Sequence, residues 1–481
     1  MLDGLFLLNR RTLVVLHLCV CLISLPKSAT AANHVIHISI DGLRGDLLES
    51  NINASPLDFP IFKRFVEEGA TTFNARADYT NTETLPNHTS MITGRPVEQP
   101  IGAPNTTHHG FLHNGTTSTS STLHNAGNSN LSYIASTFDV VHDNGLSTAL
   151  YASKPKFSIF EQSYTASTGA ADITGQDDGR DKIDAQLVTT NFGVMHTTFL
   201  EDMAANQYNY SFLHYSDLDG VGHSVGWESQ GWIDAVEIMD FFLGQIFALV
   251  ETNTSLSGDT IIILTADHGG TGTGHGTPTV PENYTIPVLV WGSGVAPGAD
   301  LYVLNPISRL EPGTGRPSYT ATNQPIRNGG TGNLALKLLG LGAVVGSTIN
   351  SSQDLVVASA FASDFNANQA VDSNDLSIWQ SGYGLAMGAT LAYGDSNFDN
   401  SVDGIDFLNW QREYGLSLFS TAMAVPEPDS VFLIFLAIVC PFSLSFRERS
   451  GRVGNRKRGE LVPTKAPLQT PLPHHANRVS E

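Results

Sequence analysis

Residues 82–88 read Thr-Glu-Thr-Leu-Pro-Asn-His. A threonine hydroxyl is a weak nucleophile at neutral pH and needs a base or a metal ion to hold its oxygen as alkoxide. Thr84 lies at the centre of the stretch, so its meaning depends on what the flanking chain supplies. Upstream, His34–Ile40 (HVIHISI) has the pattern of a buried strand, with Asp41-Gly42 at its C-terminal end. Pro60–Gly69 has a helical pattern. Downstream, strand-like runs at Ser147–Ala152, Tyr210–Tyr215, Thr260–Thr265 and Thr285–Trp291 alternate with helix-like runs at Asp181–Met203 and Gly231–Glu251. This alternation predicts an α/β fold, a mostly parallel sheet covered by helices on both faces. Ligands of such sheets gather beyond the C-terminal strand ends. Asp41, Asp219, Asp267 and His268 all stand just past strand-like runs.

Those residues come in short motifs. SIDGLRGD supplies Asp41, DLDGVGHSVG supplies Asp219 and His223, and ILTADHGG supplies Asp267 and His268. Asp and His are zinc ligands, and three protein ligands per ion leave room for substrate. After His268 the only histidines are His275, in GTGHGTP, and the tail pair His474 and His475, so a further metal histidine would be His275. Thr82 competes with Thr84 as nucleophile but lacks the Leu-Pro-Asn-His context. A lone aspartate after a strand is more often a turn residue or cap; for Asp41 the whole set outweighs that reading. Asp217 reads as a solvated loop carboxylate, Asp46 as part of a helix start, and His88 as ordering the turn around Thr84. His37, His108, His109, His113 and His214 read as structural or exposed. The Thr/Ser/Asn/Gly-rich stretch from Asn105 to Asn130 suits a rim around a site.

In their order, SIDGLRGD, TETLPNHTSMITG, DGVGHSVG and TADHGG resemble the alkaline phosphatase superfamily and, within it, the type I phosphodiesterase/nucleotide pyrophosphatase family, over roughly residues 34–300. The resemblance implies an alkaline-phosphatase-like core with two zinc ions. Asp219, His223 and His275 would hold one, and Asp41, Asp267 and His268 the other, with Thr84 beside it. It also implies a covalent phosphothreonine and an asparagine donor for the phosphoryl oxygens. HHGFLHN supplies Asn114 for that role after several extra residues; Asn105 stands at the uninterrupted spacing without the His-Gly context. The implied substrate is a small-molecule phosphodiester or nucleotide. Alternatives are a phosphomonoesterase of the same fold and a surface-binding protein with a vestigial catalytic domain. A sulfatase is disfavoured because no Cys/Ser-x-Pro-x-Arg motif is present, and an independent-type phosphoglycerate mutase by a missing serine motif and by export.

The 481-residue chain carries a formal net charge of -21, which argues against nucleic acid as a partner. Its three cysteines, Cys19, Cys21 and Cys440, lie near the ends. The body therefore has no disulfide framework, no thiolate nucleophile and no cysteine-held zinc. Residues 1–31 read as a signal peptide: Arg10 and Arg11, the apolar run Thr12–Leu25, then Ala29-Thr30-Ala31. The catalytic domain is expected over 32–355.

A duplicated acidic pattern follows at 360–416. Asp364, Asn366, Asn368, Asp372 and Asp375 fall at positions 1, 3, 5, 9 and 12 of a loop, and Asp395, Asn397, Asp399, Asp403 and Asp406 repeat those offsets. They match an EF-hand-type calcium loop. With LSIWQ and FLNWQ following, the pair resembles a type I dockerin module, which implies Ca2+ and a cohesin-like or cell-surface partner. Residues 425–458 hold Val-Pro-Glu-Pro, the apolar run Val431–Phe446 and a cluster of arginines, resembling a PEP-CTERM sorting signal read by inner-membrane sorting machinery. Residues 459–481 are a polar tail. The expected location is the periplasm or cell surface.

Overall fold

All seven residues of His34–Ile40 are buried, as the near-continuous apolar run demands of a strand covered on both faces. The computed structural model describes residues 31–171, 180–397 and 401–417. Almost all of the expected signal segment, the sorting segment and tail, and Asp399 lie outside the described residues. In chain order the strands are β1 (His34–Ile40), β2 (Ala70–Arg76), β3 (Thr148–Ala152), β4 (Ala185–Val188), β5 (Tyr210–Tyr215), β6 (Thr260–Thr265), β7 (Thr285–Gly292) and β8 (Ala299–Asp300). They form one eight-stranded sheet in the order β4-β3-β5-β1-β6-β7-β2-β8. Only β7 runs against the others, pairing antiparallel with both β6 and β2.

The two faces of β1 look into different helical layers. Ser39 and His37 point to the side where the helices Thr84–Thr93 and Thr137–Asp143 lie: Ser39 bonds His88, and His37 shares the Tyr210 hydroxyl with Thr137. Burial holds His37 down at about 3, so it stays neutral in the core. A second helical group, Pro60–Glu68, Phe192–Asn206 and Gln230–Thr252, packs together around the long last member. Phe65 meets Phe247 edge-on at 5.2 Å. Phe59 cannot cap the Pro60–Glu68 helix, so Asp240 does so from the neighbouring helix, accepting from the N–H groups of Ile61 (3.0 Å) and Phe62 (2.8 Å).

The expected helix Asp181–Met203 is corrected. Residues 185–188 extend the sheet as β4, and the helix begins only at Phe192, where the Asn191 side chain accepts from Val194 N–H. The Val188-Thr189-Thr190 run favours extended backbone, and Asn191 is a better cap than interior residue. The strands β2 and β8 escape a periodicity reading, because a bulge between Thr72 and Ala75 breaks the alternation of β2 and β8 has two residues.

The described residues of 361–417 build a second small cluster around Phe365, Val371, Leu391 and Trp410. Its helices, Ser373–Gly382 and Gly404–Glu413, begin alike, with Asp372 and Asp403 as N-caps and Asp375 and Asp406 closing capping boxes. The duplication is reciprocal: Trp379 Nε1 donates to Asp403 O, and Trp410 Nε1 to Asp372 O. Among the described residues no helix is long and apolar enough to cross a membrane.

Candidate metal and phosphoryl-transfer site

Strands β3, β5, β1 and β6 are adjacent and parallel, so their C-terminal ends open on one edge of the sheet. Asp41 leaves β1 with its N–H on Tyr215 O of β5. Gly42 follows at φ +75°, in the left-handed region, and its N–H donates to Asp267 Oδ1 at 3.1 Å. A side chain at Gly42 would also press on Asp219 Cα at 3.1 Å. One tight turn thus links the three aspartates.

Two groups of ligand atoms result. Asp219 Oδ1 lies 3.3 Å from His223 Nε2 and 3.4 Å from His275 Nε2, and the two nitrogens are 3.1 Å apart. His268 Nε2 lies 3.4 Å from Asp41 Oδ1 and 3.2 Å from Asp267 Oδ2. Ligand atoms around a tetrahedral zinc at about 2.0–2.1 Å stand about 3.3 Å from one another. Asp219 also comes within reach of Asp41 and His268, an alternative second grouping. The Oδ2 of Asp267, buried and without a hydrogen-bond partner, favours Asp267 there.

The tautomers fit a cation. His223 Nδ1 faces Thr273 O (2.9 Å), His275 Nδ1 faces Thr82 O (2.7 Å) and His268 Nδ1 faces Gly269 O (2.8 Å). A carbonyl only accepts, so each Nδ1 holds the proton and each Nε2 turns a lone pair inward. His223 and His275 therefore oppose lone pairs, and Asp41 Oδ1, Asp219 Oδ1, Asp267 Oδ2 and His268 Nε2 are buried without partners. Four such atoms in two adjoining groups are costly unless cations join them. The residues present fit two ions.

Charge points the same way. Burial works against ionisation of Asp41, but Lys154, His214 and His268 outweigh it and hold its carboxyl well below the usual range. Burial, then the nearby Asp41, pushes Asp267 well up and Asp219 up. Burial lowers His268 and His275, which stay neutral as ligands require. Lys154 Nζ lies 2.6 Å from both Asp41 Oδ2 and Asp219 Oδ2, and this contact raises its pKa despite burial.

Thr84 is the first residue of the helix Thr84–Thr93, and Glu83 gives it no side-chain cap. The Leu85 N–H donates to Asn114 Oδ1 at 3.0 Å, which brings Asn114 to the head of this helix. Asn105 lies elsewhere, bonded to Asn130 and Asn128. The Thr82 hydroxyl is engaged by His275 O, whereas that of Thr84 has no hydrogen-bond partner among the described residues. His88 bonds Thr84 O through Nδ1 (2.7 Å) and Ser39 through Nε2 (2.8 Å), pinning the helix head to β1. Asp46 lies in the first turn of Gly45–Ala54, paired with Arg44.

One reading changes and another becomes more specific. Asp217 is the first residue of the helix Asp217–Val225 with Oδ2 buried, and burial lifts its carboxyl to about 6, so it is no solvated loop residue. His214 is structural in a specific way: Nε2 lies 3.0 Å from Asp41 Oδ2. Lys154 and Lys156 were missed altogether; Lys156 Nζ reaches Asn114 Oδ1 at 3.0 Å. Both follow β3, and extending the strand-end rule from Asp and His to Lys would have found them.

In the acidic repeat, Asp364 accepts the N–H groups of Asn368 and Gln369, while Asp375 accepts those of Asn366 and Asp372. Asn366 and Asn368 accept from Asn368 and Ala370 N–H. In the second loop Ser396 N–H meets Asp406 Oδ1, and Asp403 takes Ile405 N–H.

Buried carboxylates and inward lone pairs converge at parallel strand ends, beside the head of a helix that begins with a threonine, an arrangement suited to metal-assisted phosphoryl chemistry. The chain belongs to the type I phosphodiesterase / nucleotide pyrophosphatase family, whose profile matches residues 35–279. Curated relatives match over shorter stretches. GPI ethanolamine phosphate transferase 1 of Emericella nidulans is 37% identical over 91 residues, 18% of this chain and 10% of that protein. Phosphopentomutase of Pectobacterium carotovorum is 33% identical over 119 residues, 24% of this chain and 27% of that protein. The chain thus spans about a tenth to a quarter of the curated relatives it matches. Among solved structures, an inactive murine ectonucleotide pyrophosphatase / phosphodiesterase 5 in complex with AMP covers 67% of this chain and 99% of its own, at TM-score 0.45 and 15% identity. A mutant of the alkaline phosphatase PafA covers 66% and 98%, at 0.43 and 12%.

Proposed function

We propose that the protein hydrolyses phosphodiesters or nucleotide phosphoanhydrides with Thr84 as nucleophile and two zinc ions in the Asp/His groups. The observation that supports this most is the set of partnerless ligand atoms on Asp41, Asp219, Asp267 and His268 beside the Thr84 helix. Asp219, His223 and His275 would hold one ion, and Asp41, Asp267 and His268 the other, with Thr84 next to it. When bound, the ions supply Lewis-acid stabilisation of the attacking and leaving oxygens.

The chain does the positioning. The Thr84 oxygen attacks phosphorus as the bond to the leaving group breaks, giving a phosphothreonine; water then cleaves the Thr84–phosphorus bond. The N-terminus of Thr84–Thr93 turns the positive end of its dipole toward the phosphoryl oxygens, with the Thr84 N–H as its available donor, since the Leu85 N–H is taken by Asn114, Pro86 has none and the Asn87 N–H bonds Glu83 O. Asn114 commits its carbonyl oxygen to Leu85 N–H and Lys156, which leaves its amide hydrogens as donors toward substrate.

A second reading, a phosphomonoesterase, draws on Lys154 and Lys156. A monoester dianion carries more charge than a diester, and two ammonium groups at the site match it better. Hydrolysis of bis- and mono-p-nitrophenyl phosphate by zinc-loaded wild type and Thr84→Ala distinguishes the readings. A diester preference lost in Thr84→Ala supports the first, a monoester preference the second, and no turnover of either favours a vestigial domain.

The remaining parts complete an exported enzyme. Residues 1–31 direct export, and 425–458 engage sorting machinery at the inner membrane, placing the enzyme in the periplasm or on the cell surface. Residues 360–416 bind Ca2+ and dock a cohesin-like or cell-surface partner. Gln369, sixth in its loop, takes φ +64°, the sharp turn that calcium loops place there.

A further inference from the structure

Lys154 is the one side chain among the described residues that bonds an aspartate of each ion group. It takes Oδ2 of Asp41 and Oδ2 of Asp219, while the Oδ1 of each turns to the histidines of its own group, at 3.4 Å for His268 and 3.3 Å for His223. His214 adds a second hold on Asp41 Oδ2 at 3.0 Å. The ammonium is itself held in place. Ser153 donates to His214 O and accepts from Ser216 N–H, which ties the end of β3 to the end of β5. Pro155 opens a tight turn through Phe157, whose ring lies 4.0 Å from that of His214. Lys154 is thus set on a fixed backbone, with one carboxylate on either side.

We propose that Lys154 is a positioning residue that ties the two ion subsites together, fixing one oxygen of Asp41 and one of Asp219 so that the other oxygen of each faces its ion. The proposal rests on the reading of the Asp/His groups as ion sites. A simpler role, as a counter-charge for the metal-free carboxylates, predicts the opposite effect on metal binding. Removing a positive charge from beside a dication site tightens dication binding by electrostatics alone. Removing a residue that orients ligands typically weakens it by about 10- to 100-fold.

The test is an equilibrium zinc titration of the full chain against a chromophoric chelator, with millimolar Ca2+ present to fill the acidic loops. Wild type is compared with Lys154→Met, which keeps length without charge, and Lys154→Arg, whose guanidinium can bridge two carboxylates. Far-UV circular dichroism checks that each variant is folded. Wild type is expected to take up two zinc ions, Lys154→Met to bind them at least about tenfold more weakly, and Lys154→Arg to recover most of that loss. Equal or tighter zinc binding by Lys154→Met overturns the proposal while leaving the ion sites standing. Absence of zinc uptake by wild type overturns the ion-site reading and the proposal together. If Lys154→Met does not fold, Lys154→Gln takes its place: it can satisfy only one carboxylate at a time, so weaker zinc binding supports the tie and unchanged binding refutes it.

Discussion

Gly270, the last residue of TADHGG, offers a direct test of how the site is braced. The indole of Trp227 is fully buried and is sandwiched between Gly222 and Gly270. A Cβ at Gly270 would meet three ring atoms of Trp227 at 2.3, 2.4 and 2.6 Å, about 1 Å inside ordinary contact. The ring cannot retreat, because a Cβ-sized gap on its far side is already closed by Gly222. Overpacking of this kind costs about 1–3 kcal/mol. Shifting the ring also strains the bond from Trp227 Nε1 to Gly42 O, worth about 1 kcal/mol. Gly270→Ala should therefore destabilise the domain by about 2–4 kcal/mol, which lowers its melting temperature by about 3–6 °C for a domain of this size. Trp227 lies edge-on to His223, with centroids 5.5 Å apart, so zinc affinity should fall too. Gly274→Ala, in the same loop, is the control: a Cβ there meets nothing within 4 Å and should leave the melt unchanged. Thermal melts followed by circular dichroism decide the matter. A Gly270→Ala protein that melts with wild type, or no earlier than Gly274→Ala, would refute the reasoning.

Asp240→Ala removes the acceptor of two N–H groups at the start of the Pro60–Glu68 helix and should cost about 1–2 kcal/mol by urea unfolding, with Asp240→Asn recovering part of it. Asp139 is fully buried, and burial pushes its carboxyl up to about 6. Its folded pKa thus exceeds its unfolded one, so its stabilising contribution is full below about pH 4 and is lost as pH rises through about 6. Wild type should lose about 3 kcal/mol relative to Asp139→Asn across that window, and parallel stability profiles for the two would falsify the assignment. Stripping metal with EDTA should abolish hydrolysis and lower the melting temperature of the catalytic domain. Zinc alone, without calcium, should restore both, since an ion held at 100 times its dissociation constant adds about 2.7 kcal/mol.

The parts of this molecule that were legible in the sequence are those whose physics is local. The run HVIHISI can only be a buried strand, and Tyr210–Tyr215 and Thr260–Thr265 end where their apolar runs end. Position past a strand end then singled out Asp41, Asp219 and Asp267; the structure brings Asp41 and Asp219 together and joins Asp267 to them through the Gly42 N–H and His268. What stayed hidden depends on contacts between distant segments. Lysines after a strand look like solvated charges until Lys154 is seen between two aspartates 113 and 65 residues away. His214 alternates with apolar neighbours along β5 as a core residue would, and nothing local tells that Asp41 receives its Nε2. The expected helix Asp181–Met203 holds only from Phe192, because the sheet edge recruited residues 185–188 as a strand, a tertiary choice that helical periodicity does not carry.

The central claim is that Thr84 attacks phosphorus. Rapid acid quench of zinc-loaded enzyme during turnover of bis-p-nitrophenyl phosphate, followed by mass spectrometry of the peptide spanning residues 82–88, tests it directly. Wild type should carry a phosphoryl adduct on Thr84, and Thr84→Ala should show neither adduct nor turnover. Undiminished hydrolysis by Thr84→Ala, or an adduct carried by Thr82, would contradict it.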